Sequence, residues 1–472
     1  MSFAVTAEQL CKWTQGELLR GRPDQTFSGT LIDSRQVGSE DLFVAIVGPN
    51  HDAHAFVSDV LLAGAAGALI ERGRKDVPIS PSGGFLVAVE DTTQALADLA
   101  RGHRQSFEGP LIGITGSNGK TTTKELCADI LGRHGHEHGH GSTLATQGNL
   151  NNNYGVPLTL LRREAKDRLA IIEMGMNHRG EIAALCKIAQ PTIGVLTNVG
   201  TAHIEFLGSR EAIAEEKGDL LACLPAGGTA ILPRDYPLAF AQAARTKASV
   251  LSFGQHAEAE LRASQIRFLE SGHFTFHLDS PFGRGEIRVP GLAETIVENA
   301  LAAAGGAFAA GVSFETIVEG LAEHAGVSGR MQPRTVAGEI LVIDDTYNAN
   351  PQSMQNALET LGRVPARGKR FVVLGQMGEL GDVADAAHLE LGELAAAKQL
   401  DGLFVLAPAA SLIAEGARSA GMAADRIHEE ADHTTLAEAL RARLGKGDLV
   451  LVKGSRAARM ERVIDALEKG HN

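Results

Sequence analysis

The stretch LIGITGSNGKTTTKELCADILGRH, residues 111–134, constrains this chain more than any other. An apolar run leads into a glycine turn, then Lys120, then three threonines that open a helical pattern. A run this apolar buries both faces of a strand, so it needs partner strands on either side and helices above and below. In the helical part Leu126, Ile130 and Leu131 fall on one face. The turn has the chemistry of a phosphate cradle. Gly116 and Gly119, with Ser117 and Asn118 between them, let backbone approach phosphate oxygens at a helix N-terminus rich in unpaired N–H groups. Lys120 suits the β- and γ-phosphates of a nucleotide, and Thr121, followed by Thr122, suits Mg²⁺. The strict phosphate-loop pattern has a glycine where Ile114 stands, and Gly113 and Gly116 straddle that position. The competing reading is a glycine-rich turn with an incidental lysine.

The 472 residues suffice for about three domains, and the pattern changes twice. Residues 1–107 hold short strand-like pieces, with 41–48 a strand, 54–69 a helix and 76–84 a turn-rich loop. Residues 108–328 alternate strand, polar turn and helix; 168–174 and 193–199 are two more buried strands, and 249–290 reads as an antiparallel insertion. In 329–472, aliphatic runs at 339–345, 369–375, 401–407 and 447–454 alternate with helical stretches. The expected fold is α/β throughout, with sites at the carboxyl ends of strands.

Composition narrows the function. The formal net charge of −13 argues against nucleic acid and anionic membranes as partners. Cys11, Cys127, Cys186 and Cys223 are scattered, without a CxxC pair, which fits a reducing cytoplasm better than a disulfide framework. No apolar run reaches the roughly 18 residues of a spanning helix, and the N-terminus lacks a signal-peptide pattern.

Polar residues gather at strand ends. Glu173 closes one strand and is followed by Asn177 and His178; its carboxylate suits a second contact to Mg²⁺. Asn198 closes another and is followed by His203. The loop ATQGNLNNNYGVP (145–157) offers Thr146, Asn149 and Asn152 to a neutral polar ligand, or is simply solvated. In DDTYNANPQSM (344–354), Asn350 and Pro351 cap and start a helix, while Asp344, Asp345, Tyr347 and Asn348 read as site residues. KGSR (453–456) follows a buried strand and suits an anion through Lys453 and Arg456. The tract His134, His136, His138, His140 reads as an exposed loop with opportunistic metal affinity. Lys217, in AEEKGDL, reads as a helix-surface lysine among acids.

Together, DSR (33–35), GSNGKTT (116–122), TQGNLNN (146–152), EMGMNHRGEI (173–182), TNVGTAHIEFLGS (197–209), EEKGDL (215–220), GRM (329–331), DDTYNANPQSM and LVKGSR (451–456) resemble the Mur ligase family. DDTYNANP and EMGMNHRGEI favour the member that adds D-alanyl-D-alanine. The resemblance implies an N-terminal UDP-sugar-binding domain, a central mononucleotide-binding domain and a Rossmann-like C-terminal domain. It implies ATP and Mg²⁺ as cofactors and UDP-N-acetylmuramoyl-tripeptide and D-alanyl-D-alanine as partners; a monomer is the expected state. It assigns Lys120 to phosphate; Thr121, Glu173 and His203 to magnesium; Lys217 to a carbamoylated lysine; Arg330 and Asp345 to the nucleotide; Ser34 and Arg35 to the uridine diphosphate; and Asn348, Lys453 and Ser455 to the ATP and dipeptide side. Where the family has a G-x-H-N-x-x-N segment near the adenine, this chain reads GLAETIVENA (291–300), with Asn299 the surviving candidate. A sister ligase with another amine, a folylpolyglutamate synthetase-like enzyme and a non-ligating nucleotide switch are the alternatives.

Overall fold

A computed structural model describes residues 4–74, 84–138, 141–336 and 339–469. Three large sheets follow one another along the chain. The first has strand order Glu17–Arg20, Phe85–Val89, Gly67–Glu71, Asp41–Val44, Gly29–Leu31, antiparallel at its first pairing and parallel at the rest. Helix Thr92–Arg104 packs on it, its first turn closed by Asp91, whose carboxylate accepts from the N–H groups of Thr93 and Gln94. The helix expected over 54–69 is divided. A 3-10 turn, Ala53–Phe56, leads into helix Val57–Leu62, and Gly67–Glu71 is a strand. Gly64, at φ +102°, ends the helix, and the run after it is buried on both faces, so sheet pairing overrides its helical propensity. Of the expected loop 76–84, residues 76–83 lie outside the described residues.

Among the described residues the central sheet has nine strands. Leu111–Thr115 lies between Asp167–Glu173 and Ile193–Leu196, all parallel. Ser142–Ala145 forms one edge; Thr229–Pro233, Ser249–Gly254, Leu261–Leu269, His273–Ser280 and Gly283–Pro290 continue in the other direction. The antiparallel insertion expected at 249–290 is therefore two things. Ser249–Gly254 pairs in parallel with Thr229–Pro233, and only the strands from Leu261 onward form antiparallel hairpins, which widen the same sheet. Phe274, Phe276 and Leu278 alternate inward and are at most 1% exposed, each burial worth about 1.5–3 kcal/mol. They share a core with helix Thr295–Ala309. That helix lies so close to the sheet that a Cβ on Gly305 would sit 2.7 Å from Ile231.

The third sheet runs Gln332–Val336, Ile340–Asp345, Leu449–Lys453, Arg370–Leu374, Gly402–Leu406, Ile427–Glu430. Only its first pair is antiparallel, and separate apolar clusters cover its two faces, a doubly wound arrangement. Among the described residues no helix is long and apolar enough to cross a membrane. The histidine tract, expected as a loop, continues the helix of the phosphate-loop unit: Lys120–His138 carries His134, His136 and His138, and His140 lies outside the described residues.

Candidate active site

The loop Gly116–Gly119 joins the central strand to helix Lys120–His138. Gly119 stands at φ +82°, and a Cβ there would lie 2.2 Å from Asn299 Oδ1; one on Gly116 would meet Thr197 Oγ1 at 1.9 Å. Neither position admits a side chain, so the bare backbone faces outward. Hydrogen bonds hold the loop. Ser117 N donates to the Asn198 carbonyl (3.1 Å), Asn118 N to Asn198 Oδ1 (2.9 Å), Thr197 Oγ1 to the Asn118 carbonyl (2.6 Å) and Gly200 N to Ser117 Oγ (2.8 Å). From the third unit, Asn350 Nδ2 donates to Asn118 Oδ1 at 2.8 Å, while Asn350 Oδ1 caps helix Pro351–Arg363 through Ser353 N.

Lys120 Nζ donates to the Gly116 carbonyl at 2.8 Å. Burial pushes its pKa down; Glu173 and Glu379 oppose that shift and Arg330 adds to it. Thr121 Oγ1 accepts from Arg330 at 2.8 Å, and the Arg330 guanidinium lies 4.1 Å from the centre of the Tyr347 ring. Asn299 accepts from Thr123 Oγ1 at 3.4 Å, and Thr122 faces the cavity described below.

Glu173 is 2% exposed at its strand end. Its Oε1 accepts from Asn151 at 2.8 Å and its backbone N–H donates to Thr146 Oγ1 at 2.9 Å. Its Oε2 is buried without a partner among the described residues. Such an oxygen is costly to leave bare and suits a hard cation. His203, at φ +65°, puts Nδ1 2.6 Å from Glu379 Oε2, and that contact holds the Glu379 carboxyl below the usual range. Glu379 escaped notice in the sequence, although GQMGEL after the strand Arg370–Leu374 carries the same signal of polar and glycine residues at a strand end.

Lys217 is not a surface lysine. It sits on helix Arg210–Ala222 at 1% exposure, and its amine makes no hydrogen bond or ion pair among the described residues. Burial first, then the nearby charge of Lys120, push its pKa well down, against Glu216. The surrounding acids are engaged elsewhere: Glu216 accepts from the N–H groups of Gly180 (2.7 Å) and Ile182 (2.9 Å), and Asp219 pairs with Arg245.

In the third unit, Asp345 Oδ2 meets Lys453 Nζ at 2.5 Å, and Lys453 also donates to the Asn348 carbonyl at 2.9 Å. Asp344 instead holds Thr346, its Oδ1 accepting from Oγ1 at 2.7 Å. Ser455 Oγ is buried without a partner among the described residues.

A cavity of about 1720 Å³ gathers these groups. The loop residues from Ser117 to Thr122, together with Glu173, His203, Asn299, Arg330, Asp345, Asn348, Lys453 and Ser455, line it, as do Asn149 and Asn152. Asn152 Oδ1 also accepts from the N–H groups of Tyr154 and Gly155. Gly116, Thr146 and Lys217 are not among the lining residues. Ser34 and Arg35 lie apart from it, Arg35 paired with Asp33 at 2.7 Å.

Fold and site define a phosphate-loop enzyme in which a nucleotide unit and a doubly wound α/β unit close on one cavity. Residues 114–307 match the Mur ligase middle domain, and 329–456 match the Mur ligase, glutamate ligase domain. The chain is 35% identical to the UDP-N-acetylmuramoyl-tripeptide–D-alanyl-D-alanine ligase of Escherichia coli over 99% of both chains. It superposes on a crystal structure of MurF from Acinetobacter baumannii with a TM-score of 0.88 at 34% identity, covering 99% of both chains. It also superposes on MurF ligase from Thermotoga maritima in complex with ADP, with a TM-score of 0.81 at 33% identity, over 93% of this chain and 97% of that one. The chain belongs to the Mur ligase family.

Proposed function

We infer that this chain joins D-alanyl-D-alanine to UDP-N-acetylmuramoyl-tripeptide at the expense of ATP, in cytoplasmic peptidoglycan precursor synthesis, and works as a monomer. The observation that carries the reading is full-length similarity, 35% over 99% of both chains, to a ligase of that activity. Residues 1–107 hold the UDP end through Ser34 and Arg35, 108–328 hold ATP, and 329–472 help hold ATP and the dipeptide. A carboxylate does not react with an amine unaided. The terminal carboxylate of the tripeptide attacks the γ-phosphorus, ADP leaves, and an acyl phosphate forms. The dipeptide amine then adds to the acyl carbon, loses its proton, and expels phosphate.

The loop amides and Lys120 take up the charge that develops on the transferred phosphoryl group. Arg330, fixed on Tyr347 and Thr121, adds a second cation. Glu173 Oε2, Thr121 Oγ1 and His203 fit magnesium: the first is an unpartnered buried oxygen and the second a hydroxyl at the loop. Among the described residues no cluster of three or more His, Cys, Asp or Glu side chains is poised for a metal, so the phosphates and water would complete the shell. When bound, the ion neutralises phosphate charge. Lys217, held as an unpaired amine, is suited to take up CO₂ as a carbamate, giving an anionic ligand where positive charge collects. Lys453 and Asn348, with Ser455 Oγ, stand towards the dipeptide.

The test is phosphate release with UDP-N-acetylmuramoyl-tripeptide and each candidate amine in turn. D-alanyl-D-alanine alone should drive it. Release with a single amino acid or glutamate instead would point to a sister ligase or a folylpolyglutamate synthetase-like enzyme. Release independent of any amine would point to a nucleotide switch.

A further inference from the structure

Beside the phosphate loop the cavity wall carries a carboxylate that none of the steps above uses. Glu298 precedes Asn299 on helix Thr295–Ala309, and both line the cavity. Its two oxygens accept from the Tyr236 hydroxyl at 2.9 and 3.1 Å, and among the described residues this is its only hydrogen-bond partner. A carboxylate can accept about four hydrogen bonds. Most of its lone pairs therefore remain unclaimed by protein on the partly buried wall of the cavity. Burial pushes the Glu298 pKa up to about 6, with Asp235 and Glu294 adding to the shift and Tyr236 opposing it; at neutral pH and above the group is mainly an anion that can only accept.

Its position relative to the phosphates is fixed by the sheet. Asn299 sits against Gly119, so the helix passes directly over the loop. Tyr236 follows the strand Thr229–Pro233, two strands from Leu111–Thr115 in the sheet. Glu173 ends the strand on the opposite side of the phosphate strand. A nucleotide whose γ-phosphate points towards Glu173 would have the Tyr236 and Glu298 side of the same cavity for its base.

We propose that Glu298, oriented by Tyr236, reads the 6-amino group of the nucleotide's purine and so selects a 6-aminopurine over a 6-oxopurine. The inference rests on the reading of the chain as an ATP-dependent ligase. The amine donates to Glu298, whereas the 6-oxo group of hypoxanthine turns an acceptor towards an acceptor and leaves the carboxylate unpaired. A site built around a hydrogen bond rejects the analogue that lacks it more strongly than an apolar pocket rejects a missing methylene.

The test compares kcat/KM for ATP and ITP in the wild type and in Glu298→Gln, which keeps the shape and adds a donor. The ATP/ITP ratio should fall about tenfold or more in Glu298→Gln. It should fall by less in Tyr236→Phe, where the carboxylate remains but loses its orienting partner. A structural role would lower both substrates together and leave the ratio unchanged, which would overturn the proposal. A change in discrimination against 2′-deoxy-ATP without a change in the ATP/ITP ratio would place Glu298 at the ribose and overturn it as well. Direct calorimetric binding of ADP and IDP to both variants gives the same comparison if turnover is lost, and equal ADP/IDP preference in wild type and Glu298→Gln would count against the proposal. Should the wild type release no phosphate from ATP in the presence of the tripeptide and dipeptide, the ligase reading itself fails. A wild type that uses ATP while Glu298→Gln keeps its ratio sinks only the assignment of Glu298.

Discussion

Replacing Lys217 with methionine removes an amine that the fold has already stripped of water while preserving most of its volume. Lys217 is 1% exposed, and burial and Lys120 both disfavour its charged form. In the unfolded chain the same amine titrates near the usual value of about 10.4. Between the lowered folded value and that one, the unfolded chain binds a proton that the folded chain does not. The wild type should therefore gain stability as pH rises through this window, by up to about 1.4 kcal/mol per pH unit from this residue. That contribution is lost as pH falls. The methionine variant has no such term. In CO₂-free buffer it should be the more stable protein at pH 7.5, and its advantage should shrink by up to about 2.7 kcal/mol at pH 9.5. Urea unfolding followed by far-UV circular dichroism at several pH values gives the difference directly. An advantage that stays constant across the window would mean that the folded amine is charged, and would refute the reasoning. Carbamate formation supplies the second arm. With ¹³C-bicarbonate the wild type should show a carbamate carbon that the variant lacks, and Lys217→Ala should lose roughly 10–100-fold in activity, partly recovered with acetate or formate. A fully active Lys217→Ala enzyme would return the residue to a structural role.

Lys120→Ala should lower turnover by about a hundredfold or more with little change in the urea midpoint, because it removes a transition-state cation and one bond to the Gly116 carbonyl; near wild-type ligation would reject the phosphate-loop assignment. Glu173→Gln should raise the Mg²⁺ concentration for half-maximal activity by about 10–100-fold with no loss of thermal stability, since its Oε2 has no protein partner to lose among the described residues; an unchanged magnesium titration would remove Glu173 from the metal. X-ray scattering should show a radius of gyration that falls only when ATP and the UDP-substrate are both present, because the acyl phosphate needs shielding from water; one value in all ligand states would rule closure out.

The strands were legible because their burial is written residue by residue. Leu111–Thr115 falls where its apolar run predicts, and Ile340–Asp345 and Leu449–Lys453 lie within one residue or two of theirs. Local pattern misled where pairing decides. Residues 65–69 read as helix because Ala and Leu favour it, and only the neighbouring strands draw the run from Gly67 onward into a sheet. Ser249–Gly254 was grouped with the hairpins that follow it, since nothing within a strand records which way its partner runs. Among site residues, those on strand ends could be read in place. The environment of Lys217 could not: AEEKGDL is polar in composition, and its burial comes from packing against distant segments. Pairings between distant segments, such as His203 with Glu379 or Glu298 with Tyr236, leave no trace in either local sequence.

Asn350 holds two structures with one amide. Its oxygen starts helix Pro351–Arg363, and its nitrogen reaches across to the side chain of Asn118 in the phosphate loop. The loop therefore has its complete set of partners only while the third unit is docked. By thermodynamic linkage, whatever tightens the loop around phosphate must also tighten docking, and by the same factor. Nucleotide affinity and domain association are then a single equilibrium viewed from two ends, and a change at position 350 should shift both together although it touches no substrate atom in the mechanism.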